Sequence, residues 1–358
     1  MQRALALAQR GWGQTAPNPM VGAVVVADGA IVGEGAHTRY GEPHAEPLAL
    51  QAAASRARGA TLYVNLEPCA HHGKTPPCTD AVIAAGVARV VVAVRDPSAI
   101  ARGGVEQLRA ASIRVDIGVE RAAALELNAP FFNAHRSDRP WVILKLALSA
   151  DGAIAGAGGR RRWITGSESR LEVHRQRANA DGIAIGVGTV FADDPQLTVR
   201  DTIAPRVPPR RIIFDSTLRS PLASQLVRTA VRIPTSIVGG SEPIPSSRRA
   251  ALVAAGITVL SSASLEGALQ ALRREAIRSL YVEGGARLAG SLLTESLVDR
   301  LVIFQSPLVL GDGAPRAFAF APADFQRSLV ERRVVAQRMF GEDRMTIFAL
   351  TDVPCSPD

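Results

Sequence analysis

Apolar and polar positions follow two rhythms along this chain, and the rhythms take turns. VGAVVVADGAIVGEG reads as two strands turned at Asp28-Gly29, and ATLYVNL, RVVVAV and IRVDIG read as three more, each a short apolar run bounded by turn residues. Between them the spacing predicts a helix from Gln2 to Gln9, one from about Ala45, one after Thr79 and one near Val105 to Ala111. NAPFFNAHRSDRP, rich in Asn, Pro and charge, is expected to be a linker. A second alternating series starts at Trp141: WVILKLALS, a helix around Glu168 to Ala178, DGIAIGVG, RRIIFDS, TSIVGG, ITVL, the helical LEGALQALRREAI, SLYVEGG, LVIFQSPLVL and MTIFAL. Strands alternating with helices imply sheets covered by helices, so the expected fold class is α/β in two domains, residues 1–130 and 140–358.

Composition narrows the class. Hydrophobic residues make up 47% and charged residues 21%, which excludes a disordered or fibrous chain. Only 4% is aromatic, too few rings for a platform on which single-stranded nucleic acid stacks, and no nucleic-acid partner is expected. Forty-one Lys and Arg against 33 Asp and Glu give a net charge of +8, which favours anionic partners such as phosphates. No apolar run approaches the roughly 20 residues of a membrane span, and MQRALALAQRGWG lacks a signal-peptide pattern, so a cytoplasmic protein without a membrane partner is expected. Three cysteines cannot build a disulfide framework; Cys355, in a polar tail, is read as incidental. Only two of the 41 cations are lysines, Lys74 and Lys145. Coding bias explains this as well as a need for a compact ammonium does.

The chemistry concentrates in EPHAEPLAL and NLEPCAHHGKTPPCTDA. His44, Cys69 and Cys78 offer one imidazole and two thiolates, the ligand set of a zinc ion with an open fourth position. Glu46, two residues past His44, is placed to move protons without being a ligand. Zinc lowers the pKa of water to about 7, which implies hydrolytic attack on an sp² carbon. The competing reading is structural, with the cysteines as core residues or with His71 or His72 as a fourth ligand. His-x-Glu followed by Pro-Cys resembles the zinc nucleobase deaminases, although eight residues, AHHGKTPP, replace their short Cys-x-x-Cys spacing.

Over nearly the whole chain the order of TAPNPMVGAVVV, GEGAHTRYGEPHAE, LEPCAHHGKTPPCTDAVIAAGVARVVVAVRDP, KLALSADGAIA, WITG, GVGTVFADDPQLTVR, FDS and VEGGARLAGSLL resembles the bifunctional riboflavin-biosynthesis deaminase/reductase family. The resemblance implies a cytidine-deaminase-like zinc domain followed by a dihydrofolate-reductase-like domain using NADPH. It assigns zinc to His44, Cys69 and Cys78 and gives Glu46 the catalytic proton transfers. Asn18, His37 and Lys74 would line the cleft for a phosphorylated pyrimidine. In the second half it assigns NADPH to Ala147, Trp163, Thr189, Asp193, Ser216 and the run Gly285, Ala286, Arg287, Leu288, Ala289, Gly290, Ser291. Arg177, Leu197, Arg200 and Glu283 would meet the sugar phosphate, with Lys145 and Asp151 near the reaction centre. The family's activity would be deamination of a diaminopyrimidinone ribosylamine 5′-phosphate and then reduction of its ribosyl to a ribityl chain, by a homo-oligomer.

The chain departs from the family at three places. Ala23 stands where many members carry Cys, Ser98 occupies an Asn position in a shortened loop, and Arg161 replaces a Ser two residues before Trp163. Arg161 is either one charge of a basic surface loop or a phosphate contact in place of the missing hydroxyl. Two other readings compete: an RNA-base deaminase with a basic appendage, and a zinc-stabilised binding module. The scarce aromatics oppose the first, and Glu46 beside a full ligand set opposes the second.

Overall fold

The first hairpin closes where the turn residues demand it. β1 (Gly22–Ala27) and β2 (Ala30–Ala36) pair antiparallel across Asp28 and Gly29, both at positive φ, the backbone that two-residue hairpins require. The computed structural model to which they belong describes residues 1–157, 163–240 and 245–354; Arg161 and Cys355 lie outside them. β3 (Thr61–Val64) pairs antiparallel with β1, and β4 (Arg89–Val92) and β5 (Arg114–Ile117) extend the sheet in parallel, giving the order β2-β1-β3-β4-β5.

Helix Ala45–Ala53 lies on β2 with no side chain between them. A Cβ on Gly35 would stand 2.1 Å from the Ala45 carbonyl oxygen, so only glycine permits this approach. The core beneath is small and aliphatic, with Leu62, Val64, Val90 and Val92 inaccessible to solvent.

The expected linker is corrected in its first half. Residues Ala129–Ala134 form a helix, Phe132 is buried in the first core, and the Asn128 side chain accepts from the Met20 N–H and donates to the Met20 carbonyl. Two adjacent Phe residues outweigh the polar composition, and Pro130 sits in the first helical turn, where its missing N–H costs nothing. The chain divides between Ser137 and Asp138, and Val353 packs on the first core.

The second unit is a nine-stranded mixed sheet. Its strands are β6 (Trp141–Leu148), β7 (Gly182–Gly186), β8 (Arg210–Phe214), β9 (Thr235–Val238), β10 (Ile257–Leu260), β11 (Ser279–Val282), β12 (Arg300–Gln305), β13 (Val334–Phe340) and β14 (Asp343–Ala349). The spatial order is β10-β9-β8-β7-β11-β6-β12-β14-β13, parallel except where β14 pairs with β12 and β13. The crossover that puts β11 between β6 and β7 makes a switch point, and open α/β sheets bind ligands outside the carboxyl ends of strands at such a point. Among the described residues no helix is long and apolar enough to cross a membrane.

Candidate active sites

Three local features bring the first group of side chains together. His44 precedes helix Ala45–Ala53, Cys69 follows β3 in a loop, and Cys78 opens helix Cys78–Ala85. The His44 Nδ1 is 3.2 Å from Cys78 Sγ and 3.6 Å from Cys69 Sγ, and the three donor atoms lie within 4.8 Å of one another. A tetrahedral zinc with ordinary bond lengths requires edges of about 3.6 Å between N and S and about 3.8 Å between two sulfurs. The donor set and its spacing therefore fit zinc.

The charges fit as well. The two sulfurs interact so that Cys69 lies below the usual thiol range, while the same interaction and burial push Cys78 up. A divalent cation would stabilise both sulfurs as thiolates. The Glu46 carboxyl is buried and pushed up to about 7 by desolvation, and its Oε2 has no hydrogen-bond partner among the described residues. A buried carboxyl left with a free oxygen beside two thiols and an imidazole is a proton carrier waiting for a partner.

His37 is buried and its pKa is lowered by desolvation, so the ring is neutral. Its Nδ1 lies 3.1 Å from the Pro43 carbonyl, which requires the proton there, and its Nε2 accepts from Asn18 Nδ2 at 3.4 Å. The ring stands edge-on to His44 with centroids 5.2 Å apart, which places Asn18 and His37 beside the metal ligands. Lys74 is exposed, with its Nζ 4.2 Å from the Tyr40 ring centroid. Sequence reading missed Glu67, whose buried carboxylate accepts the backbone N–H groups of Asp96, Gly103 and Val105 and fixes the loop that carries Ser98. Its position two residues before Cys69 was the available signal.

The second group lines a cleft of about 2090 Å³ at the carboxyl ends of β6, β7, β8 and β11, more room than one drug-sized ligand needs. Strand register builds its centre. Val282 pairs with both Leu144 and Ala184, so the next residues, Glu283 and Lys145, stand side by side with Nζ and Oε2 3.7 Å apart. Arg177, from helix Ser167–Arg177, donates its Nε–H to Glu283 Oε1 at 2.5 Å and Nη1 to the Thr198 carbonyl at 3.0 Å. Burial alone would raise Glu283, but Arg177 and Lys145 outweigh it and hold the carboxyl at about 2; desolvation pulls Lys145 below its usual value.

Of the residues expected to bind NADPH, Ala147, Trp163, Thr189, Asp193, Ser216, Gly285, Ala286, Arg287, Leu288 and Ser291 line this cleft. Ala289 and Gly290 do not. They lie on the opposite face of helix Ala286–Thr294, where a Cβ on Gly290 would meet the Phe320 carbonyl at 2.4 Å. That helix begins at Gly285 without a side-chain cap, which leaves backbone N–H groups for an anion, and Arg170, Arg177, Arg200, Arg219 and Arg287 line the same space. An uncapped helix start and a basic lining fit a dinucleotide phosphate. Leu197 and Arg200 are in the lining, whereas Asp151 is not. The Asp151 carboxylate accepts from Ser149 Oγ, Leu310 N and Gly311 N and pairs with Arg316, contacts that hold it far below the usual range and brace a loop. His174 was missed. It lines the cleft, accepts from Arg200 N at 3.1 Å, and is held at about 4 by desolvation, Arg177 and Arg200.

A family model described as the cytidine and deoxycytidylate deaminase zinc-binding region matches residues 1–94, and one described as the RibD C-terminal domain matches residues 140–340. The chain is 45% identical over 316 residues to the riboflavin biosynthesis protein RibD of Aquifex aeolicus, with 87% of each covered. It is 42% identical over 327 residues to RibD of Escherichia coli, with 88% of each covered. Among solved structures, Acinetobacter baumannii RibD aligns with a TM-score of 0.82 at 37% identity, covering 97% of both chains. A diaminohydroxyphosphoribosylaminopyrimidine deaminase/5-amino-6-(5-phosphoribosylamino)uracil reductase of Thermotoga maritima aligns with a TM-score of 0.81 at 34% identity, covering 98% of this chain and 97% of that one.

Proposed function

This chain belongs to the RibD family of riboflavin-biosynthesis proteins, and from that premise we propose which of its residues carry each of the two reactions. It is a bifunctional enzyme: a zinc-dependent deaminase of the diaminopyrimidinone ribosylamine 5′-phosphate and an NADPH-dependent reductase of the deaminated product.

In the deaminase, His44, Cys69 and Cys78 would hold the zinc, which supplies the Lewis acidity that makes water nucleophilic near neutral pH. Glu46 takes the proton from the attacking water, passes it to the ring nitrogen and then to the amino group, which leaves as ammonia. A carboxyl held at about 7 both accepts and returns that proton at little cost. Asn18, oriented by the neutral His37, hydrogen-bonds the pyrimidine edge, and the exposed Lys74 meets the 5′-phosphate. The orphaned Glu46 oxygen beside the three metal donors carries this assignment.

In the reductase, bound NADPH would supply a hydride for ribose C1′. The helix start at Gly285, with Ala286 and Arg287, would hold a cofactor phosphate, and Thr189, Asp193, Ser216 and Trp163 would line the rest of its path. Arg177, Arg200 and Leu197 bind the sugar phosphate. Lys145, desolvated beside Glu283, protonates the ring oxygen as it leaves C1′. A cytoplasmic, homo-oligomeric enzyme completes the reading.

The test is to supply the diaminopyrimidinone phosphate with and without NADPH, following ammonia and nicotinamide absorbance together. Ammonia in both arms, with NADPH oxidised only after it, is the expected result; NADPH oxidation without ammonia, or no ammonia at all, overturns the assignment.

A further inference from the structure

Arg211 is the second residue of β8, and only 1% of it is exposed. Each of its five N–H groups meets an uncharged oxygen. Nε donates to Thr235 Oγ1 at 2.9 Å, Nη1 to Thr229 Oγ1 at 2.8 Å and to the Gln196 carbonyl at 3.3 Å, and Nη2 to the Leu226 and Ile233 carbonyls, both at 3.0 Å. No carboxylate is among these partners. Burial lowers its pKa to about 10, which still leaves the group cationic at neutral pH. A guanidinium this deep, with no counter-ion among the described residues, is costly unless its hydrogen bonds organise something.

Four of these bonds gather the stretch from Leu226 to Thr235, and the fifth, to the Gln196 carbonyl, ties that anchor to the segment Asp194–Asp201. Three side-chain-bearing residues there, Asp194, Leu197 and Asp201, have φ of 38°, 49° and 56°, a conformation that only surrounding contacts sustain. Gln225 holds one end through the Asp194 side chain and carbonyl, Arg177 holds the Thr198 carbonyl, and His174 takes the Arg200 N–H. Arg211 holds the residue immediately before Leu197. Gln196, Leu197 and Arg200 all line the reductase cleft.

We infer that Arg211 is a positioning residue of the reductase: its buried fork fixes the Gln196 carbonyl and thereby keeps Leu197 and Arg200 where the sugar phosphate binds. The inference rests on the assignment of Leu197 and Arg200 to that substrate. Lysine cannot replace the arginine, because three donors on one nitrogen do not span five oxygens in a plane.

The experiment uses the full-length zinc-loaded enzyme and compares Arg211→Lys, Arg200→Ala and the unaltered chain. The reductase is assayed with the deaminated uracil ribosylamine phosphate, and the deaminase with its own substrate. For Arg211→Lys the KM for the sugar phosphate rises at least tenfold, while the KM for NADPH and the deaminase kcat/KM stay within twofold. Native-state trypsin then cuts after Arg200 at least tenfold faster, and substrate reverses this. If Arg200→Ala leaves the substrate KM unchanged, the assignment of the site fails; if Arg200→Ala raises it and Arg211→Lys does not, the positioning role alone fails. Thr229→Val, which removes a single oxygen from the fork, repeats the measurement with smaller shifts in the same directions should Arg211→Lys not fold, and an unchanged substrate KM there also overturns the role.

Discussion

Replacing Glu283 by glutamine removes one negative charge from between two cations and changes the shape of the site very little. The carboxyl has side-chain exposure of only 14%, and it sits at about 2 rather than its ordinary 4.5. At about 1.4 kcal/mol per pKa, that difference is roughly 3 kcal/mol in favour of the charged form in the folded state. Breaking a buried pair by removing one partner costs about 3–5 kcal/mol, because the other charge stays buried, so the two routes agree. For a unit of this size the expected loss is about 6–12 °C in the Tm of the reductase unit. The sign with pH follows: the stabilisation is complete above 4.5 and is lost as pH falls through about 2. Differential scanning calorimetry of Glu283→Gln, with deaminase activity as an internal control, reads the change. Reductase kcat/KM should fall at least tenfold. A variant that melts within about 2 °C of the unaltered enzyme and binds substrate normally would refute the charge argument.

Other outcomes follow from the same geometry. Gly35→Ala places a methyl group 2.1 Å from the Ala45 carbonyl, so helix Ala45–Ala53 must move with His44 and Glu46; zinc content and ammonia release should fall together while reductase activity persists. His174 is neutral in the fold down to about 4, whereas the unfolded chain protonates it below 6.5, so the second unit loses stability as pH drops from 6.5 towards 4. Urea titrations at pH 7 and 5 should show His174→Gln losing less between those pH values than the unaltered chain. Ser264 accepts from the Gly267 N–H at the start of helix Leu265–Arg274; Ser264→Ala should cost about 1 kcal/mol in a urea titration and leave ammonia release intact.

The metal centre was legible because its chemistry is written in residue types: an imidazole, two thiols and a spare carboxylate within 35 residues point to one ion whatever the fold. The strands of both sheets were legible for a similar reason, since runs such as RVVVAV and LVIFQ are buried on both faces and carry no polar interruption. β13 escaped notice because it is an edge strand with mostly exposed side chains, so its apolar positions show no consistent face. The helix Ala129–Ala134 escaped because the Asn, Pro and charged residues in and around it mark a linker, while the burial of Phe132 depends on a core assembled from distant strands. His174, Glu67 and Arg211 share one cause of invisibility. Most of their partners are backbone groups far away in sequence, and no local spacing encodes them.

The central claim is that two independent sites share this chain and that Glu46 moves the protons of the first. It is tested most directly with Glu46→Gln, assayed for ammonia release from the diaminopyrimidinone phosphate and for NADPH oxidation on the deaminated uracil derivative, with zinc content measured on the same sample. The account predicts a full complement of zinc, ammonia release reduced by at least a thousandfold and reductase turnover unchanged. Ammonia release within tenfold of the unaltered enzyme, from a sample that retains its zinc, would contradict it.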